Sequence, residues 1–177
     1  KLRDAGKQRF PTVDERRRFW EQALRGEAAR HADGGDGAGA QRAIEAALDG
    51  AVEPARGVVH LVGAGPGDPE LLTVKAARLI RDAEVIVHDR LVSPEVIDRA
   101  RRDVVRIDVG KTAGHHSVAQ SRICDILIEE ARKGRRVVRL KGGDSFIFGR
   151  GGEEAEAVRA AGIEVHVTPG VSAALAA

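Results

Sequence analysis

The sequence predicts an α/β fold: a five-stranded, mainly parallel sheet flanked by helices and preceded by a short helical segment. Three observations predict it. From Val58 onward, short apolar runs alternate regularly with helix-like stretches, the pattern of a parallel sheet covered on both faces. Helix-start signals recur after the apolar runs, at Asp68-Pro69, at Ser93-Pro94 and at the pair Ser117 and Gln120. Glycine clusters stand where strands give way to helices, at 63–67, 142–143 and 149–152.

In chain order, residues 1–30 are strongly basic. Within them Thr12 and Glu15 form a capping box. Phe19, Ala23 and, one position later, Leu24 share a helical face, and Gly26 is expected to end that helix. The segment reads as a solvated or subunit-facing helix rather than a nucleic-acid arm. Residues 33–39 read as a looping connector, 40–48 as a short helix, and 49–57, with Gly50 and Pro54, as a domain linker. Strands are expected at 58–62, 84–88, 104–109, 135–140 and 164–168. Helices are expected from Asp68 to about Arg81, from Ser93 to about Arg101, over 117–133 with Gly134 as the stop, and over 153–161 stopped by Gly162. A small-residue helix should follow Pro169-Gly170. Right-handed crossovers put the loops 63–68, 89–93, 110–117, 141–152 and 169–172 on one edge of the sheet. Most of the chemically interesting residues fall in these loops, which points to a single site.

The totals exclude several function classes. A formal net charge of +2 is too small to imply nucleic acid, and 3% aromatic residues with no Tyr leave no base-stacking platform. One Cys allows neither an internal disulfide nor a Cys-cluster metal site, and fits a reducing cytosol. Cys124 itself reads as a small buried apolar residue. His115 and His116 are adjacent and point apart, so no metal is expected. No apolar stretch is long enough for a membrane span and no signal-peptide pattern occurs, so a cytoplasmic protein without membrane partners is expected. Met is absent even at the start, so the native N-terminus is expected to lie upstream.

The densest stretch is 139–154. It turns through Gly142 and Gly143, presents Asp144 and Ser145, and is expected to bury Phe146-Ile147-Phe148. It turns again through Gly149 to Gly152 before a helix at Glu153. The first loop, 63–68, suggests a dinucleotide fingerprint with Asp89 as the ribose-binding acid. Position 68, where the third glycine belongs, is instead Asp, at the helix N-terminus where a pyrophosphate would lie. A carboxylate there repels phosphate and tolerates a cationic or zwitterionic ligand. Asp89 and Lys111 close the second and third strands and could act as base and acid if partly desolvated.

Six motifs then occur in order: Val62-Gly-Ala-Gly-Pro-Gly-Asp68, Asp89-Arg-Leu-Val-Ser93, Val109-Gly-Lys111, Leu140-Lys-Gly-Gly-Asp144, Phe146-Ile-Phe-Gly-Arg-Gly-Gly-Glu-Glu154 and Pro169-Gly-Val-Ser-Ala173. Together they resemble the uroporphyrinogen-III C-methyltransferases of the tetrapyrrole methylase family, over residues 57–177. Upstream, Lys7-Gln-Arg-Phe10 and Asp14-Glu-Arg-Arg-Arg-Phe-Trp20 resemble the closing helices of the precorrin-2 dehydrogenase/ferrochelatase module of siroheme synthases. The resemblance implies the N-terminal domain of the methylase fold, with the second α/β domain and the upstream NAD domain lying outside this chain. It implies S-adenosyl-L-methionine as methyl donor, S-adenosyl-L-homocysteine as product, uroporphyrinogen III as substrate and precorrin-2 as its dimethylated product, in a homodimer.

By position, Pro66, Gly142, Gly143, Asp144, Ile147, Ser172 and Ala173 match the family's cofactor contacts, and Asp89 and Lys111 its proton acceptor and donor. Ser145 departs from the family, which usually has Pro there. Arg90 and Arg150 are expected to pair with substrate carboxylates, because a guanidinium binds carboxylate bidentately. Two alternatives stay open: a NAD-dependent dehydrogenase domain, and an inactive piece that assembles subunits through its basic helices.

Overall fold

The computed structural model describes residues 2–24, 26–50, 57–110 and 119–176. It divides into two compact units, Lys1–Pro54 and Ala55–Ala177.

The first unit is helical: α1 (Leu2–Arg9), α2 (Val13–Ala23), α3 (Glu27–Asp33) and α4 (Gly37–Asp49). The capping box ahead of α2 forms as its residue types require. The Glu15 backbone N–H donates to Thr12 Oγ1, and the Thr12 N–H donates back to the Glu15 carboxylate. Asp36 caps α4 by accepting from the Gly39 N–H, so 34–36 is a short turn rather than a long connector. The core is Phe10, Phe19 and Leu48, edged by Trp20 and Ile44, with the two Phe rings stacked at 4.9 Å. Two expectations fail here. Leu24 lies beyond the end of α2 and is exposed, and Gly26 opens α3 instead of closing α2. Aromatic packing of Phe19 against Phe10, rather than the helical stripe continued to Leu24, sets which face is buried.

The second unit holds five strands among the described residues, β1 (Val58–Gly63), β2 (Val85–His88), β3 (Val105–Asp108), β4 (Arg136–Lys141) and β5 (Glu164–Thr168). They form one sheet of order β3-β2-β4-β1-β5, with every pairing parallel. One face packs on α5 (Val74–Asp82) and α6 (Pro94–Ile97), through Val62, Ile80, Ile86, Val96, Val138 and Leu140. The other packs on α7 (Gln120–Arg132) and α8 (Gly151–Ala160), through Leu61, Val87, Leu127, Val137 and Val158. Left-handed glycines end α7 and α8 at Gly134 and Gly162, as the sequence predicts.

Several boundaries differ from the sequence reading. The helix expected from Asp68 is two pieces. Asp68 caps a 3-10 turn, Pro69–Leu71, and Thr73 then caps α5 through the Ala76 N–H. α6 is a single turn and stops at Ile97. α7 starts at Gln120 behind Ala119, without a side-chain cap, while Ser117 lies outside the described residues. α8 begins two residues early, at Gly151, behind a left-handed Arg150. The small-residue helix after Gly170 is a 3-10 turn, Ala173–Leu175.

Candidate active site

Parallel pairing makes the strands end together. Gly63 pairs with Lys141, Val62 with both Leu140 and Thr168, and His88 with both Leu140 and Asp108. The loops that follow therefore leave from one edge, and the first, second, fourth and fifth are stitched together. The first and fourth loops exchange two backbone hydrogen bonds: Gly65 N–H to Gly143 O at 3.0 Å, and Gly143 N–H to Gly65 O at 2.7 Å. Gly143 takes φ +67°, which a side chain would strain. The first and second loops join through Ser93 Oγ, which donates to the Gly67 carbonyl at 2.6 Å. The first and fifth loops touch backbone to backbone. A Cβ on Gly63 would lie 2.4 Å from the Gly170 nitrogen, and one on Gly170 would lie 2.4 Å from the Gly143 oxygen.

Asp144 ties the fourth loop to the fifth. Its Oδ1 accepts from the Phe146 N–H at 2.8 Å and the Ile147 N–H at 3.3 Å, and its Oδ2 accepts from the Gly170 N–H at 3.1 Å. Both oxygens are thus used to shape the edge. Ser172, nearly buried, caps the 3-10 turn through the Ala174 N–H. Ser145 is fully buried and its hydroxyl has no hydrogen-bond partner, consistent with a position that needs no polar side chain.

Gly142, Gly143, Asp144, Ser172 and Ala173 thus gather around the Gly65–Gly143 bridge, with Pro66 one residue from it. Ile147 is half exposed on the outer limb of the same loop. Lys111 lies outside the described residues. Asp89 stands at the end of β2, partly exposed, its Oδ1 accepting from the Leu91 N–H at 3.1 Å. Arg90 is exposed, and its stem lies against Gly110. Arg150 is exposed and pairs with Glu153, which raises its pKa through that hydrogen bond and holds Glu153 below the ordinary carboxylate value.

One expectation is reversed outright. Phe146, Ile147 and Phe148 are not buried; they are 48%, 49% and 99% exposed. The Asp144 carboxylate turns the chain outward at Phe146, and Phe148 takes φ +55°, so the patch stands on the rim.

Beneath the rim lies a charged cluster that the sequence reading missed. Arg139 and Lys141 sit on the α7/α8 face of β4, where period-two alternation from Val137 calls for apolar side chains. Glu154 of α8 reaches between them, fully buried, and its Oε1 accepts from Arg139 Nε at 3.3 Å, Lys141 Nζ at 3.2 Å and Gln120 Nε2 at 3.0 Å. Burial lowers the Lys141 pKa, and Glu154 opposes that shift. Charges at core-facing positions of a central strand were the signal available in the sequence.

The dinucleotide reading loses its anion site. Asp68 places its own carboxylate on the Glu70 N–H at 2.8 Å, occupying the helix start where a pyrophosphate would dock.

Comparison with known proteins gives the family. Residues 58–177 match the tetrapyrrole (corrin/porphyrin) methylases. The chain belongs to the tetrapyrrole methylase family. Residues 1–48 match the sirohaem synthase dimerisation region. Over 174 residues, 98% of the chain, it is 51% identical to the siroheme synthase of Pseudomonas putida, of which it covers 38%. Over 168 residues, 95% of the chain, it is 52% identical to that of Nitrosococcus oceani, of which it covers 36%. The chain thus spans less than two fifths of these relatives.

Among solved structures, the chain resembles a uroporphyrin-III C-methyltransferase from Thermus thermophilus, with TM-score 0.60 and 51% identity over 67% of this chain and 49% of that one. A Thermus thermophilus form complexed with S-adenosyl homocysteine gives TM-score 0.59 and 47% identity, over 68% of this chain and 47% of that one.

Proposed function

We propose that this chain is part of an S-adenosylmethionine-dependent C-methyltransferase that converts uroporphyrinogen III to precorrin-2 within a multifunctional siroheme synthase. The observation that carries the reading is the convergence of the first, fourth and fifth loops on the Gly65–Gly143 bridge and the Asp144–Gly170 bond. Gly63, Gly143 and Gly170 meet backbone to backbone at this junction, and a glycine-rich edge suits the close approach of an adenosine and an amino-acid moiety. Pro66, Gly142, Gly143, Asp144, Ile147, Ser172 and Ala173 would hold the donor. When bound, S-adenosylmethionine supplies an electrophilic methyl group on a sulfonium.

The chain's own residues position the reactants, which is the main demand of an in-line displacement. Asp89 is proposed to accept the proton that leaves the macrocycle, and Lys111 to donate one. Arg90 and Arg150 are proposed to face the substrate's carboxylates. The exposed rim of Phe146, Ile147 and Phe148 supports an apolar ring bound at the same edge.

Residues 58–177 are read as the N-terminal domain of the methyltransferase, 51–57 as a linker and 1–50 as a homodimerising appendage. The match to a dimerisation region supports that last role. No described helix is long and apolar enough to cross a membrane, and the single Cys is consistent with a cytoplasmic enzyme.

Calorimetric titration tests the reading. S-adenosylhomocysteine should bind to the native full-length protein and lose affinity when Gly143 is replaced by Val, while NAD should bind equally to both. NAD binding that depends on Gly143, without S-adenosylhomocysteine binding, would overturn it.

A further inference from the structure

Arg139 and Glu154 are among the most deeply buried charges described, at 3% and 0% exposure, and nothing proposed above employs them. An ion pair that only filled space would do no better than apolar residues of equal volume. This cluster is also unbalanced. Arg139 and Lys141 converge on the same oxygen of one carboxylate, while Glu154 Oε2 has no hydrogen-bond partner among the described residues. Two basic side chains thus share one carboxylate oxygen. A second carboxylate, Asp89, meets Arg139 at the rim, its Oδ2 lying 3.8 Å from Arg139 Nη2.

Arg139 is also held rigidly. Its Nη1 donates to the Leu140 carbonyl at 3.2 Å and the Val87 carbonyl at 3.4 Å, so the guanidinium is tied to β4 and β2 at once. Glu154 fixes the Nε side from α8. Asp89 sits two residues after Val87, held by the Leu91 N–H on one oxygen and by this fixed cation on the other. The second oxygen, ion-paired but not hydrogen-bonded to the guanidinium, keeps lone-pair capacity for a proton.

We infer that Arg139, anchored by Glu154, is a positioning residue that fixes the Asp89 carboxylate at the rim for proton acceptance. The inference rests on the proposed role of Asp89. It adds that the aim of this carboxylate is set from beneath the sheet edge, by a charge relay between β4 and α8.

A double-mutant cycle on single-turnover methyl transfer, in the native full-length protein, tests it. Arg139→Lys should slow transfer about tenfold, because a displaced reacting group loses its alignment. Affinity for S-adenosylhomocysteine should stay within about threefold, as expected for a change that leaves the donor's contacts in place. Introduced into Asp89→Asn, the same substitution should bring no further loss. If Arg139→Lys fails to fold, Glu154→Gln keeps the side-chain volume, removes the anchoring charge and carries the same cycle. An unchanged rate, or an equal loss in both backgrounds, overturns the positioning role. An unchanged rate in Asp89→Asn alone removes the role of Asp89 and the inference with it, and leaves the donor site standing.

Discussion

The two ends of the sheet both bury a glutamate, and they use it differently. At the amino edge, Glu84 accepts from the Arg136 N–H at 2.9 Å and lies 3.7 Å from the Arg136 guanidinium, which stays partly open to water. Its backbone joins the neighbouring strands, its N–H donating to Arg136 O and its carbonyl accepting from Val105 N–H. Glu84 and Arg136 sit where three strands begin, and the carboxylate closes those starts. At the carboxyl edge, Glu154 has no exposed atom and serves two cations and an amide. That arrangement carries more charge than closing a strand requires. The contrast places the denser buried charge below the edge from which the loops depart.

Substitutions at either edge test that contrast. The largest effect is expected for Glu154→Ala, which strands two buried cations and should cost about 3–5 kcal/mol in urea unfolding. Glu84→Ala removes a charged acceptor from a half-open pair and should cost about 1.5–3 kcal/mol in the same assay. Equal losses would mean that the two edges are equivalent. Gly170→Ala pushes a methyl group against the Gly143 carbonyl and the Gly63 backbone. It should cost about 1–3 kcal/mol by overpacking and should also weaken S-adenosylhomocysteine binding in calorimetry.

His60 is a control that belongs to neither edge. It lies midway along β1, its ring stacked on that of His166 at 5.3 Å. Burial first, and the neighbouring His166 second, lower its pKa to about 4 from 6.5. The unfolded chain therefore binds more protons between those values, and stability should fall as pH drops from 6.5 toward 4. His60→Gln should flatten the unfolding midpoint across that window and leave methyl transfer unchanged. The smallest structural effect is expected for Arg150→Ala. Its pair with Glu153 is exposed, so the thermal midpoint should not move, while affinity for uroporphyrinogen III should fall. Unchanged affinity in a titration would remove Arg150 from the substrate side.

Much of this was legible in the amino-acid order. Thr12 with Glu15, Asp68 with Pro69, and Ser93 with Pro94 each name a cap, because a cap is satisfied by N–H groups within three residues of it. Gly134 and Gly162 end their helices for an equally local reason, a left-handed φ. The apolar runs gave the strands, and the ordered motifs gave the family and the residues gathered around Gly143. The reading failed where local signals compete. Phe146 to Phe148 are hydrophobic, which favours burial, but the Asp144 turn decides their direction.

The amino-acid order was thus enough for the elements, their succession and the loops named as the candidate site, since each depends on residues a few positions apart. The strand order and the meeting of Asp89, Arg139, Lys141 and Glu154 come only with the folded sheet. Those side chains come from β4, α8 and the loop after β2. Only the crossovers that lay β4 between β2 and β1 bring them close enough for one charge to fix another.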